Sequence, residues 1–73
     1  MSLGNNISFL RKQKKLTQEQ FAETMNVTRQ TISRWESDEA TPELDTLIEI
    51  CTFFSCKLDE LVRSDMSAKD EIY

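Results

Sequence analysis

The sequence has no histidine, and its two cysteines, Cys51 and Cys56, stand five residues apart with no second closely spaced pair. A zinc site assembled from Cys and His ligands is therefore not expected, and neither is any other metal site. Two cysteines are too few for a secreted disulfide scaffold. They read as reduced, small core residues, which suits a cytoplasmic setting. No apolar run is long enough to span a bilayer, and the first residues lack the charged-then-apolar pattern of a signal peptide. Glycine and proline occur once each. With no glycine-rich phosphate loop and no nucleophile–base pair, neither an enzyme nor a bound cofactor is expected. Scattered carboxylates read as solvated faces. β-branched residues do not alternate with polar ones over any long stretch, which argues against strands.

What remains is helical. The chain of 73 residues is long enough for one small domain. The pattern predicts five short helices over residues 5–63, followed by a polar tail, residues 64–73, that frays or begins a linker. The net charge of −4 hides a strong asymmetry. Residues 1–35 hold six bases and two acids, whereas residues 36–73 hold three bases and eleven acids. Such a chain can present a basic, phosphate-facing side and an acidic back.

The first helix is predicted from about Asn6 to Lys15, capped by Asn5 or Asn6. Ile7, Leu10 and the stem of Lys14 share one face. Thr17-Gln18-Glu19-Gln20 matches a capping box and opens the second helix, which buries Phe21, Ala22 and Met25. Asn26 ends it and Val27 plugs the turn. Thr28 caps the third helix, which turns Ile32 and Trp35 inward and leaves Arg29, Gln30, Ser33 and Arg34 outside. Thr41-Pro42-Glu43 reads as a cap, a proline in the first turn and an acid, and so opens the fourth helix. Leu44, Leu47, Ile48, Ile50, Cys51 and Phe54 form its core stripe. The fifth helix runs from about Leu58 to Arg63, with Leu58 and Leu61 inward.

The run from Gln18 to Ser37, QEQFAETMNVTRQTISRWES, carries the most information. Ala22 is small enough to let two backbones approach. Four residues later, Asn26 tolerates the left-handed backbone a tight turn needs. Ile32 and Trp35 pin the second helix of the pair, and its other face stays free. This is the pattern of a helix-turn-helix, whose usual partner is the DNA major groove.

The stretches LTQEQFAETMNVTRQTISRWE, TPELDTLIEI and LDEL closely resemble the lambdoid-phage repressor and Cro family, also called the xenobiotic-response-element class. The resemblance covers Leu16–Leu61 and implies an all-α, five-helix, lambda-repressor-like bundle whose third helix enters the major groove. It implies that Gln18, the first glutamine of the second helix, binds a phosphate and braces the third. It also implies that Arg29 and Gln30, with Thr31 nearby and Arg34 one turn on, read base edges. The chemistry agrees: arginine forks onto guanine O6 and N7, and glutamine pairs with adenine N6 and N7. Ser33, Ser37 and Lys14 join Gln18 as candidate phosphate contacts. Arg11 and Glu36 fall where the family has an ion pair between the first helix and the end of the third.

Several positions depart from the family. The loop after the third helix is often basic or glycine-containing and touches phosphate, but here it is Ser37-Asp38-Glu39-Ala40, whose acids are expected to repel a duplex. Asn26 replaces the usual turn glycine, and Lys57 the usual cap of the fifth helix. Phe9 stands where the family is commonly polar. It marks a dimer or interdomain contact, or it lies flat on the surface.

The resemblance implies a sequence-specific transcriptional regulator, most often a repressor, acting on double-stranded DNA. A symmetric homodimer on a pseudo-palindromic operator would place half-sites roughly 34 Å apart. The dimer surface is expected near the fifth helix, at Lys57, Leu58, Glu60 and Val62. An alternative is an antitoxin-like, protein-binding module that holds its partner through the tail, where only Met66, Ile72 and Tyr73 offer apolar anchors. The chain can also be read as the N-terminal domain of a longer regulator.

Overall fold

The computed structural model describes residues 2–66, and within them the chain forms five helices and no strand. These are α1 (Leu3–Gln13), α2 (Gln18–Met25), α3 (Arg29–Glu36), α4 (Leu44–Phe54) and α5 (Leu58–Arg63). Their apolar faces meet in one core built on Ile7, Phe21, Ile32, Ile50 and Leu61, all fully buried. Trp35 closes it under α3. Phe21, Phe53 and Phe54 form a ring cluster with centroids 4.9–6.2 Å apart. α1 packs against both α3 and α5, so the first and last helices of the described residues are joined.

Four helices end the same way. After α1, α2, α3 and α4 the chain passes through a left-handed residue: Lys15, Asn26, Asp38 and Ser55, with φ between 56° and 65°. In each case the next amide reaches back five residues, as in Val27 N–H to Ala22 O at 3.0 Å and Glu39 N–H to Arg34 O at 2.9 Å. This is the Schellman arrangement, which usually places glycine at the left-handed position. Here no glycine serves it. The one glycine, Gly4, lies inside α1, where it has a different task.

The structure corrects several expectations. α1 begins at Leu3, not near Asn6, because the Ser2 hydroxyl oxygen accepts the Asn5 amide at 3.0 Å and caps it. Asn6 caps nothing. It is buried, and its side-chain amide donates to Leu61 O at 2.7 Å and Ser64 O at 2.6 Å, while its oxygen accepts from the Met66 amide at 3.0 Å. Residues 64 and 66 are therefore tied to α1 rather than frayed. Met66 also packs on the core, and Ile72 and Tyr73 lie outside the described residues. α4 begins at Leu44 with Glu43 at the cap position. Thr41 and Pro42 precede it in extended chain, and Pro42 is buried. With the helix starting two residues later, Pro42 lies before the cap and its ring is buried instead of opening the first turn. Leu44 and Ile48 are not core residues, being 60% and 49% exposed. α4 carries a broad apolar stripe, and its neighbours cover only part of it. Phe9 and Leu58 are half-buried against the core.

Candidate nucleic-acid interface

The geometry of α2 and α3 follows from short-range chemistry. The Thr17 hydroxyl accepts the Gln20 amide at 3.0 Å, and the Gln20 carbonyl oxygen accepts the Thr17 amide at 2.8 Å, a complete capping box. Asn26, at φ 58° and ψ 43°, ends α2. Two residues later the Thr28 hydroxyl accepts the Thr31 amide and starts α3. Ala22 is buried at the crossing of the two helices, and Ile32 and Trp35 hold α3 to the core.

The C-terminal end of α3 is locked. Arg11 donates from Nε to Glu36 Oε2 at 2.7 Å and from Nη2 to Glu36 Oε1 at 3.0 Å. Its Nη1 donates to Leu16 O at 2.8 Å. Gln18 adds a 3.1 Å bond from Nε2 to Glu36 Oε1. The two charged side chains are only 11% and 8% exposed. A paired, bidentate arrangement of this kind is directional, and removing either partner strands the other charge. Glu36 thus ties the end of α3 to α1 and α2 together.

A second tie lies one turn further. The Gly4 amide donates to Asp38 Oδ1 at 3.0 Å. The Ser2 hydroxyl donates to the same carboxylate, and together these bonds hold the Asp38 carboxyl below its ordinary value of 3.8. A Cβ at position 4 would stand 2.5 Å from Trp35 O and 2.6 Å from Glu36 O. Only glycine lets α1 approach α3 this closely. Asp38 is therefore engaged with α1, which the expectation of a phosphate-repelling loop did not foresee. Glu39 is exposed.

The outer face of α3 is bare. Arg29, Gln30, Ser33 and Arg34 are exposed, and their side chains have no hydrogen-bond or ion-pair partner among the described residues. Thr31 is less free, because its hydroxyl is bound to that of Thr28 at 2.9 Å. Ser37 donates its hydroxyl proton to Arg34 O at 3.2 Å. Gln18 is half-buried, with one amide hydrogen on Glu36. Lys14 sits apart from this cluster, its ammonium 5.1 Å above the Phe53 ring. Of the residues named for α5, Lys57 and Val62 are exposed, and the Glu60 carboxylate reaches back to the Lys57 amide at 3.1 Å. A lysine side chain has no acceptor, so only this half of a capping box forms. The contact of Asp38 with Gly4 is not foreseen from the sequence. The lone glycine inside an otherwise good helical stretch was the available signal.

The described residues contain no group of three or more side chains able to hold a metal ion, and no helix long and apolar enough to cross a membrane. The fold and this surface define a helix-turn-helix domain with a polar, unpartnered second helix. The chain belongs to the helix-turn-helix family, whose pattern matches residues 7–61. It is 42% identical over 65 residues to the transcriptional activator BcrR of Enterococcus faecalis, covering 89% of this chain and 32% of that protein. It is 32% identical over 71 residues to the immunity repressor protein of Bacillus phage phi105, covering 97% of this chain and 49% of that one. The chain thus spans about a third and about half the length of these relatives. Among solved structures, the P22 c2 repressor in complex with a synthetic operator superposes with a TM-score of 0.82 at 28% identity, covering 89% of this chain and 98% of that one. The fold is that of the phage-repressor helix-turn-helix domains.

Proposed function

We propose that this chain binds double-stranded DNA in a sequence-specific manner and regulates transcription, most simply as a repressor. The observation that carries this reading is the unpartnered polar surface at the start of α3, held on a locked base. Arg29 and Gln30 read base edges in the major groove, with Thr31 and Arg34 beside them. Gln18 uses its second amide hydrogen on a phosphate, with Ser33 and Lys14 as further contacts. Ser37 joins them by turning its hydroxyl away from Arg34 O. The repressor–operator complex of similar fold supports DNA as the partner. The basic residues 1–35 face the duplex and the acidic remainder points away, which steers association.

The chain acts as a symmetric homodimer on a pseudo-palindrome. Val62, 43% exposed, is the apolar centre of the dimer surface, with Lys57, Leu58 and Glu60 around it. A protein that reads the genome works in the cytoplasm, where Cys51 and Cys56 stay reduced. Both are free thiols, and burial pushes the Cys56 thiol up to about 11, so it is a poor nucleophile. Selection from a random duplex pool at low salt, followed by anisotropy titration of the enriched sequence, tests this function. A two-fold-related motif is the expected result. Binding that depends on salt alone, with no enriched sequence, would contradict it.

A further inference from the structure

We propose that Asp38 is a positioning residue for DNA binding, which fixes the angle of α3 by clamping the loop after it onto the N-terminus of α1. This rests on the DNA-binding reading above. Two polar ties join α1 to the end of α3 and the loop after it: Glu36 is bound to Arg11, and Asp38 accepts the Gly4 amide. Gly4 and Arg11 are separated by about 10 Å along the α1 axis, at 1.5 Å per residue. The core packing of Ile32 and Trp35 holds α3 down, and two polar attachments this far apart along α1 add a constraint on its direction.

The clamp reaches the reading surface through the backbone. Asp38 is left-handed at φ 65°, and the chain beyond it folds back so that the Glu39 and Ala40 amides both donate to Arg34 O, at 2.9 and 3.2 Å. The carboxylate therefore holds a loop that is itself bound to the last turn of α3. Its charge is met by a hydroxyl and by the N-terminal end of α1, where a carboxylate is favoured. Asp38 stays exposed, with one carboxylate oxygen held on the Gly4 amide.

Asp38→Gly is the informative substitution. Glycine accepts φ 65° without strain, so the variant keeps its fold while losing the clamp. Asp38→Asn keeps an acceptor and tolerates the left-handed backbone. Stopped-flow and dissociation kinetics on the enriched duplex are read for wild type and both variants, beside amide exchange at Gly4 and melting temperature. Asp38→Gly should dissociate about five-fold faster, the size expected for losing one cap bond, with an association rate within about two-fold of wild type. Gly4 exchange should accelerate, the melting temperature should fall only slightly because relief of left-handed strain offsets part of the lost bond, and Asp38→Asn should restore slow dissociation. Faster, salt-sensitive association of both variants would overturn the proposal, because it would mark Asp38 as a charge facing the duplex. Unchanged dissociation with a lowered melting temperature would overturn it too, leaving only a structural role. If wild type binds no duplex, the DNA reading fails. Gly4 protection lost in Asp38→Gly would then show that the clamp exists but serves stability alone.

Discussion

At its N-terminal end α3 carries Arg29 and Gln30 with no partner among the described residues, whereas at its C-terminal end Trp35, Glu36 and the following Asp38 are tied to α1 and α2. α3 is about 12 Å long, so a tilt of about 10° at its base moves its tip by about 2 Å. Base-edge hydrogen bonds do not tolerate that displacement. A helix that reads a partner needs a fixed base and a free tip, and the polar groups are distributed accordingly. The part-buried polar bonds that α3 makes to its neighbours all sit at its base. The groups with unsatisfied hydrogen-bonding capacity sit in water, where they cost nothing until a partner arrives.

The contrast can be broken most strongly at the base. Glu36→Ala strands the Arg11 guanidinium in a half-buried site and should destabilise the domain by about 3–5 kcal/mol, visible as a large fall in urea midpoint. Gly4→Ala forces a Cβ against two backbone carbonyls of α3. It should cost about 1–3 kcal/mol, and the surviving folded protein should bind DNA more weakly because α3 is displaced.

The tip should behave in the opposite way. Gln30→Ala should lower affinity for the enriched duplex by about 1–3 kcal/mol and relax the preference at one base pair. Its stability should stay within about 0.5 kcal/mol of wild type, as for other exposed positions. Away from both ends, Lys15→Gly and Ser55→Gly remove side chains from left-handed positions that carry no recognition surface. Each should raise stability by about 1 kcal/mol or less, the relief of left-handed strain being partly offset by the entropy of glycine. The smallest effect is that of acid. The Asp38 carboxyl is held low by Ser2 and Gly4, so its share of stability is complete above the ordinary value of 3.8 and is lost as pH falls through the lowered value. The Gly4 amide shift followed from pH 6 to pH 2 (roughly, the carboxylate range) should show its transition below 3.8.

The helix-turn-helix was legible because its determinants are local. Thr17 and Thr28 act on amides three residues away, and Asn26 acts on its own backbone. Asn6 looked like a cap for the same local reason. Its actual partners lie 55–60 residues along the chain, where short-range patterns carry no information. α4 failed differently. Leu44 and Ile48 share the helical spacing of the core, but only contact with other helices decides which part of a broad apolar stripe is covered. Asp38 was read by charge alone as a phosphate repeller. Its role depends on a left-handed turn and on the approach of Gly4, both of which require the fold.

Anisotropy titration and thermal melting of Gln30→Ala, carried out side by side with wild type on the enriched duplex, test the central claim most directly. A free reading tip on a locked base predicts about a five-fold or greater loss of affinity with an unchanged melting temperature. Full affinity for the same duplex in Gln30→Ala, or a loss matched by a fall in melting temperature, would contradict it.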